Sequence, residues 1–215
     1  ERHLLGRRRR PVLATIPPLH IAPARPAVDV GKDLERLPAG PFILFVGSLQ
    51  PHKGIYELLE AYGRLRGAPA LVLMGPAWPD TPASFPPDVV VMENVPHAAV
   101  MQAWERCLFG VAPSRWAEPF GGVVTEAMSK GKAMIGATPG GHGDMIVDGE
   151  SGLLVPAGDA GALAAAMQRL VDDAPLRDRL GEAARRRIEE GFTADAIVPR
   201  IEALYAEAAA AGGCG

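Results

Sequence analysis

Two glutamates mark the part of the sequence in which chemistry is easiest to place. Glu118 lies in the loop sequence PSRWAEPFGG at residues 113–122, and Glu126 follows eight positions later, one turn into a predicted helix. Ionised carboxylates accept hydrogen bonds and do not donate them, so the pair suits a hydroxyl-rich ligand. The amides and the positive dipole end of the helix favour a diphosphate between them. A nucleoside diphosphate sugar has this layout. The alternative is a helix-dipole role for Glu126 and a surface position for Glu118.

Two further loops carry residues that suit an anion. One follows the first apolar run and reads GSLQPHKG, so it places Gly47, Ser48 and Lys53 close together. The Lys53 ammonium can pair with a phosphate as a point charge, or it is an ordinary solvated lysine. The other loop is the segment 138–144, TPGGHGD, in which three glycines within four positions can form a concave row of N–H groups. Its alternative is a plain turn with Asp144 as a helix N-cap.

These loops alternate with segments that are predicted to form strands and helices. Short apolar runs recur at residues 42–46, 70–74, 89–92, 108–112, 133–137 and 153–155. Several are apolar at consecutive positions, which is typical of parallel strands covered on both faces. Helical patterns occupy residues 55–65, 97–106 and 122–130, and three more follow residue 158. We therefore predict an α/β fold, a Rossmann-like three-layer α/β/α sandwich with a mostly parallel sheet of about six strands, plus C-terminal helices. Ligands of such sheets bind beyond the carboxyl ends of the strands, where all three loops lie.

The flanking segments differ from this central part in composition. Residues 1–10 hold five arginines and one glutamate and lead into a proline-rich stretch, which is typical of a helix end followed by a linker. We predict the end of an upstream helix and an interdomain linker in residues 1–40. A Rossmann-like domain would occupy residues 41–192, and a C-terminal helix with a flexible tail residues 193–215, with fraying expected from residue 208. The chain is thus expected to begin at a domain boundary.

Composition argues against several classes of protein. The 215 residues carry a formal net charge of −3, which does not favour binding to nucleic acid. Cys107 and Cys214 form no disulfide framework, and the dispersed histidines lack the spacing of a zinc site, so we predict a cytoplasmic protein with free thiols and no metal. His97 is interpreted as a helix-start residue. The arginines at 7–10 and 185–187 would suit either a solvated helix end or peripheral contact with the inner face of a membrane.

Several motifs together resemble the C-terminal domain of glycosyltransferase family 4 (glycosyl transferases group 1), a large group of enzymes with the GT-B fold. The resemblance covers residues 40–207 and depends on the order and spacing of the motifs. The motifs are Phe45-Val46-Gly47 leading to Lys53-Gly54, Pro113-Ser114 followed by Glu118-Pro119-Phe120-Gly121, Glu126-Ala127-Met128, Gly140-Gly141, Asp148-Gly149, Gly152-Leu153-Leu154-Val155 and Gly158-Asp159.

The resemblance implies a role for each matching residue. Glu118 would contact the donor hexose and Lys53 the donor diphosphate, and these two are the catalytic candidates. Glu126 would contact the ribose, and Val95, at the end of the third predicted strand, the base. The substrate-binding candidates are Gly47, Ser48, Val95, Phe120, Gly121, Gly122, Glu126 and His142. The backbone amides near residues 120–122 would complete the cradle for the sugar and the phosphates.

The resemblance also implies a reaction. A hexosyl group would pass from a UDP-, GDP- or ADP-sugar to an acceptor with retention of configuration and with no tightly bound metal or other cofactor. The acceptor would bind in an N-terminal domain that this sequence lacks, so the chain alone is expected to bind donor without turnover.

The sequence departs from the family at two positions. An arginine is usual at Ser48, and a glutamate is common at Asp144. Arg115 and His52 are the candidates to replace the missing arginine. The serine at position 48 leaves an alternative, a non-catalytic nucleotide-sugar-binding or interaction module of the same fold.

Overall fold

Strands and helices alternate along residues 29–212, the part of the chain that the computed structural model describes. The strands are β1 (Phe42–Val46), β2 (Ala70–Met74), β3 (Val89–Met92), β4 (Phe109–Ala112), β5 (Met134–Thr138) and β6 (Leu153–Pro156). The helices are α1 (Gly31–Glu35), α2 (Ile55–Tyr62), α3 (His97–Arg106), α4 (Gly122–Ser129), α5 (His142–Met145), α6 (Ala160–Asp172), α7 (Ala174–Gly191) and α8 (Ala194–Gly212), and a 3-10 turn at Pro51–Lys53 precedes α2. The first three strands keep the bounds predicted from their apolar runs. β4 begins one residue later than predicted, β6 ends one residue later, and β5 is shifted by one residue at both ends.

The six strands form one parallel sheet in the order β3-β2-β1-β4-β5-β6. Leu44 of β1 pairs with Val72 of β2 on one side and with Gly110 of β4 on the other. This is the strand order of the Rossmann fold, in which successive crossovers change direction between β1 and β4 and leave a crevice at the carboxyl ends of those strands. The predicted α/β fold is confirmed, and every strand pair in the described residues is parallel.

Both faces of the sheet are covered, which explains why the strands are apolar at consecutive positions. Alternate side chains of a strand point to opposite faces. Ile43 and Phe45 accordingly join one buried cluster, and Phe42 and Leu44 join the other. Helices α2 and α6 pack on the first face, α3 and α4 pack on the second, and α7 contributes to both. The result is the predicted three-layer arrangement, which holds the strand ends rigidly beneath the loops.

The folded domain begins earlier than predicted. Residues 29–40 were assigned to the linker, yet they include α1, and Leu37 is buried in the second core cluster. Arg106 of α3 donates hydrogen bonds to the backbone carbonyls of Leu34 and Pro38 at 3.4 and 3.3 Å. The predicted boundary at residue 41 is therefore too late. The interpretation of residues 1–28 lies outside the described residues.

The C-terminal helix α8 continues to Gly212, so the segment 208–212, in which fraying was expected, is helical. The last residues, 213–215, lie outside the described part of the chain and include Cys214. In the second arginine segment, Arg187 donates to two backbone carbonyls of α5 at 2.6 and 2.9 Å, and Arg185 pairs with Glu189. Among the described helices, none combines the length and the apolar character needed to cross a bilayer.

Candidate functional site

The loops that follow β1, β4 and β5 meet at the carboxyl edge of the sheet and line a pocket of about 110 Å³. The pocket lies at the reversal between β1 and β4, as the strand order predicts. Its lining residues are Phe45, Val46, Gly47, Lys53, Ala112, Ser114, Glu118, Phe120, Gly121, Gly122, Val123 and His142. Pockets that enclose a whole small ligand measure about 300–1,000 Å³, so this pocket would receive only one part of a larger ligand.

A glycine allows the first two loops to approach each other. Gly54 ends the turn Pro51–Lys53 with a φ of 77°, a conformation that glycine adopts without steric cost. A Cβ at this position would lie only 2.0 Å from the carbonyl oxygen of Pro113. The backbone contact between Gly54 and Pro113 thus brings the β1 loop against the β4 loop, which places Lys53 beside Glu118.

Two of the residues that line the pocket form an ion pair. The Lys53 Nζ lies 2.5 Å from the Glu118 Oε1. The Ser114 hydroxyl donates to the same oxygen at 2.8 Å. Glu118 is only 8% exposed, so its charge depends on these partners. The two catalytic candidates, 65 positions apart in the sequence, are therefore in direct contact.

The environment of Glu118 keeps it ionised. Burial alone would raise the pKa of its carboxyl group. Hydrogen bonds from the side chains of Lys53, Trp116 and Ser114, together with the Lys53 charge, outweigh burial and lower the pKa below its ordinary value of 4.5. At neutral pH Glu118 is therefore a carboxylate that can only accept hydrogen bonds.

The amino end of α4 faces open space beside this ion pair. Gly121 is the N-cap and has no side chain with which to cap the helix. Within the described residues, the N–H groups of Gly122 and Val123 have no hydrogen-bond partner. A Cβ on Gly122 would meet nothing within 4 Å. Free amides at the positive end of a helix dipole, in a crevice with a lysine, form a site for an anionic group.

His142 presents a neutral hydrogen-bond donor to the same pocket. The residue is 2% exposed, and its Nδ1 accepts a hydrogen bond from the Ala137 N–H at 3.2 Å. Burial lowers the pKa of His142, and the Glu118 charge opposes this only in part. The ring is therefore neutral at physiological pH, and its hydrogen is on Nε2. A Cβ on Gly121 would lie 2.9 Å from Nε2, so glycine at that position leaves room for the ring.

The glycines of the β5 loop support the Glu118 loop and are not a row of free amides. The Gly141 N–H donates to the carbonyl oxygen of Glu118 at 2.6 Å, and the Gly143 N–H donates within its own turn at 3.0 Å. A Cβ on Gly140 would lie 3.0 Å from the Glu118 nitrogen. The predicted anion-binding row is therefore wrong. The alternative of Asp144 as an N-cap is also wrong, because Asp144 lies inside α5 and Gly141 is its N-cap.

Three of the predicted site residues lie outside the pocket. Glu126 projects from α4 and contacts His97, with 2.8 Å between Oε1 and Nε2. Val95 packs partly buried against the second core cluster. Ser48 is half-buried in the β1 loop, and in the described part of the structure its hydroxyl makes no hydrogen bond. The structure thus brings Lys53, Glu118, the 120–122 backbone, Gly47 and His142 together around one pocket.

The two candidates to replace the arginine missing at Ser48 point elsewhere. Arg115 is directed at Glu57, with 3.4 Å between Nε and Oε1. His52 packs against Trp116 in an edge-to-face contact, with ring centroids 6.3 Å apart. Of the described residues that line the pocket, Lys53 is the one with a full positive charge.

Sequence reasoning missed two residues of this region. Ser114 appeared only as part of a motif, although its hydroxyl holds the Glu118 carboxylate. His97 was interpreted as a helix start, which is confirmed, but its contact with Glu126 was not foreseen. The available signal was its position at the start of the helix that follows β3, since helices that follow parallel strands begin at the ligand-binding edge. The described residues contain no cluster of His, Cys, Asp or Glu side chains that could hold a metal ion.

The fold and the pocket define a class of protein, a Rossmann-type α/β domain with an open, uncapped helix end at its strand reversal. The chain belongs to the family of glycosyl transferases group 1, whose sequence profile matches residues 32–187. The resemblance inferred from the motifs is thereby confirmed at the level of this family.

Relatives and solved structures agree with this assignment. Trehalose synthase from Pyrococcus horikoshii is 31% identical over 184 residues, which cover 76% of this chain and 44% of that protein. Sucrose-phosphate synthase from Thermosynechococcus elongatus superposes with a TM-score of 0.72 and 30% identity, over 86% of this chain and 49% of that one. Anabaena HepE, solved in complex with UDP-glucose, superposes with a TM-score of 0.69 over 82% of this chain and 51% of that one. The two sequences are 20% identical, so this comparison shows a likeness of fold alone. The chain spans about half the length of these proteins.

Proposed function

We propose that this chain is the donor-binding half of a retaining glycosyltransferase that transfers a hexosyl group from a nucleoside diphosphate sugar to an acceptor. The observation that carries the proposal is the open, uncapped amino end of α4 beside Lys53 and Glu118. Membership of the family and the activities named for its relatives support sugar transfer. The HepE complex with UDP-glucose makes a UDP-sugar the first donor to test, with GDP- and ADP-sugars as the alternatives.

The donor diphosphate would bind where positive charge is available. The amides of Gly122 and Val123 and the dipole of α4 stabilise negative charge, and that charge grows on the diphosphate as its bond to the sugar breaks. The Lys53 side chain is 28% exposed, and its flexible stem allows the ammonium group to move from Glu118 to a phosphate. Residues of this chain would therefore stabilise the leaving group, with no cofactor taking part.

The sugar would bind between one side chain that accepts hydrogen bonds and one that donates them. Glu118 is ionised and accepts hydrogen bonds, while His142 is neutral and carries a hydrogen on Nε2. Hexose hydroxyls both donate and accept, so they match this combination. Glu126, farther along α4, would accept hydrogen bonds from the ribose, with the base toward Val95.

The acceptor would bind to a second, N-terminal domain. The chain spans about half of each relative, and α8 leaves Val198 and Tyr205 exposed by 40% and 74%. Exposed apolar side chains on a terminal helix suit packing against another domain. We therefore propose that the chain alone binds donor without transferring sugar. We also propose a cytoplasmic location, because Cys107 is a free thiol.

A second candidate function is nucleotide-sugar binding without catalysis. Serine at position 48 removes a cation that the family usually has, and the Lys53 charge is already balanced by Glu118. Arg115 and His52 do not compensate for the loss, since neither lines the pocket.

Calorimetry on the chain tests donor binding. UDP, GDP and ADP are titrated to millimolar concentration, and we expect one of them to bind. The K53M variant should weaken that binding by about tenfold or more, because a charged hydrogen bond is worth about 1.5–3 kcal/mol. K130M is the matched control, since Lys130 forms an ion pair of the same 2.5 Å length with Glu105, away from the pocket. Absence of binding by all three nucleotides would refute the proposal.

Catalysis is tested by joining the chain to an N-terminal domain of the family. The transferase proposal predicts sugar transfer, and proton NMR of the product should show retention at the anomeric carbon. If neither the natural sequence nor the S48R variant transfers sugar or hydrolyses donor in that context, the non-catalytic function is the correct one.

A further inference from the structure

A histidine and a glutamate meet beside the pocket at the carboxyl edge of the sheet. His97 is the first residue of α3, and Glu126 lies one turn into α4. The His97 Nε2 is 2.8 Å from the Glu126 Oε1. A carboxylate can only accept, so Nε2 carries a hydrogen and donates it. Both side chains are partly exposed, by 27% and 21%, so a ligand in the crevice can reach them.

This contact occupies one carboxylate oxygen of Glu126, Oε1, and leaves the other, Oε2, able to accept a hydrogen bond from a ligand. Within the described residues, Oε2 has no hydrogen-bond partner. The terminal torsion of a glutamate is broad unless a contact restricts it. By holding Oε1, His97 orients the carboxylate before a ligand arrives, and pre-orientation reduces the entropy lost on binding.

The hydrogen bond is not needed to hold the two helices together. Helices α3 and α4 already share the second core cluster, in which Ala103 and Trp104 of α3 and Val124 and Met128 of α4 are completely buried. Buried apolar contacts of this kind dominate helix docking, whereas a partly exposed polar pair adds little stability. The pair is therefore better explained by what it presents to the crevice.

We propose that His97 is a positioning residue that orients Glu126 to accept hydrogen bonds from the ribose hydroxyls of the donor nucleotide. The inference rests on the proposed function, because it requires a nucleotide along α4. It assigns a role to a residue that touches the ligand only through another side chain. It also predicts that removal of His97 weakens the contacts with the ribose and leaves those with the diphosphate unchanged.

The test compares ribose with a ribose that lacks both hydroxyls. UDP, GDP and ADP and their 2′,3′-dideoxy forms are titrated into the unsubstituted chain and into H97A, H97Q, E126A and the H97A/E126A double variant. We expect H97A to weaken binding of the ribose form by about fivefold, which is the net contribution of one hydrogen bond. Binding of the dideoxy form should be unchanged. H97Q should recover most of the loss, because its amide N–H can donate. In the E126A background, H97A should have no further effect.

Each outcome decides the matter. An equal loss for the ribose and dideoxy forms, or additive losses from H97A and E126A, would overturn the positioning role. Unchanged binding by H97A would overturn it as well and leave the proposed function standing. If the unsubstituted chain binds none of the three nucleotides, the proposed function and this inference fail together. Urea unfolding verifies that each variant is folded, and H97L repeats the comparison if H97A is too unstable to measure.

Discussion

Replacing Lys53 by methionine should destabilise the domain far more than replacing a lysine in an equally short surface pair. K53M keeps most of the side-chain volume and removes the charge that balances Glu118, whose side chain is 9% exposed. Removing one partner of a fully buried pair costs about 3–5 kcal/mol. Because Lys53 is 28% exposed and Ser114 still donates to Glu118, we expect K53M to lose less than a fully buried pair would, about 2 kcal/mol.

The control is K130M. The Lys130 Nζ lies 2.5 Å from the Glu105 Oε1, the same distance as in the Lys53 pair, but the Glu105 side chain is 53% exposed. Exposed pairs contribute about 0.2–1 kcal/mol, so K130M should reduce the free energy of unfolding by about 0.5 kcal/mol. Urea denaturation at neutral pH measures both changes. Equal losses for the two variants would show that burial of Glu118 does not govern the pair.

The pH dependence provides a second check. In the natural sequence the pKa of Glu118 is lowered by folding, so its contribution to stability is present above its ordinary value of 4.5 and is lost as pH falls through the lowered pKa. In K53M the hydrogen bond and the charge of Lys53 no longer oppose burial, so we expect the pKa of Glu118 to be higher than in the natural sequence and the buried carboxylate to be less stable until it is protonated. The difference in stability between the two proteins should therefore shrink as pH falls below about 5. A difference that stays constant or grows over that range would refute this account of the pair.

Two further predictions concern the frame of the site and the core. G54A should reduce the free energy of unfolding by about 3 kcal/mol or more, since its Cβ would clash with Pro113 and its φ is positive. G67A is also at positive φ but in open space, so it should reduce that free energy by only about 1 kcal/mol. Urea denaturation compares the two, and similar losses would contradict the close approach of the loops. In a C214S variant, Cys107 should not react with a thiol reagent at about pH 8 until the protein unfolds, because burial raises its pKa to about 12; rapid labelling of the folded protein would contradict this.

The strands and helices could be predicted from the sequence because their signal is local. β1 and β2 are apolar at every position, and only a strand covered on both faces needs that pattern. The helices of the second half repeat apolar residues at helical spacing, and all of them are present. The boundary at residue 41 was less predictable, because α1 is short and Leu37 is buried only through contact with the distant second cluster.

The site could be predicted in part. Its loops follow from the positions of the strands, and the motifs identify Lys53, Glu118 and the start of α4 as the residues to examine. The β5 glycines were misjudged because a run of glycines is compatible with free amides and with tight packing alike. Only the contact of Gly141 with the Glu118 loop decides between them.

By itself the sequence determined the order of the elements, the parallel sheet they form and the edge at which polar loops collect, since apolar patterning and chain connectivity act over short distances along the chain. The tertiary structure alone decided which side chains meet at that edge. Lys53 reaches Glu118 across 65 positions because Gly54 lets two loops touch, and His97 reaches Glu126 across 29 because two helices begin side by side. Such contacts depend on how loops and helices pack in space, and spacing along the chain carries no record of that packing.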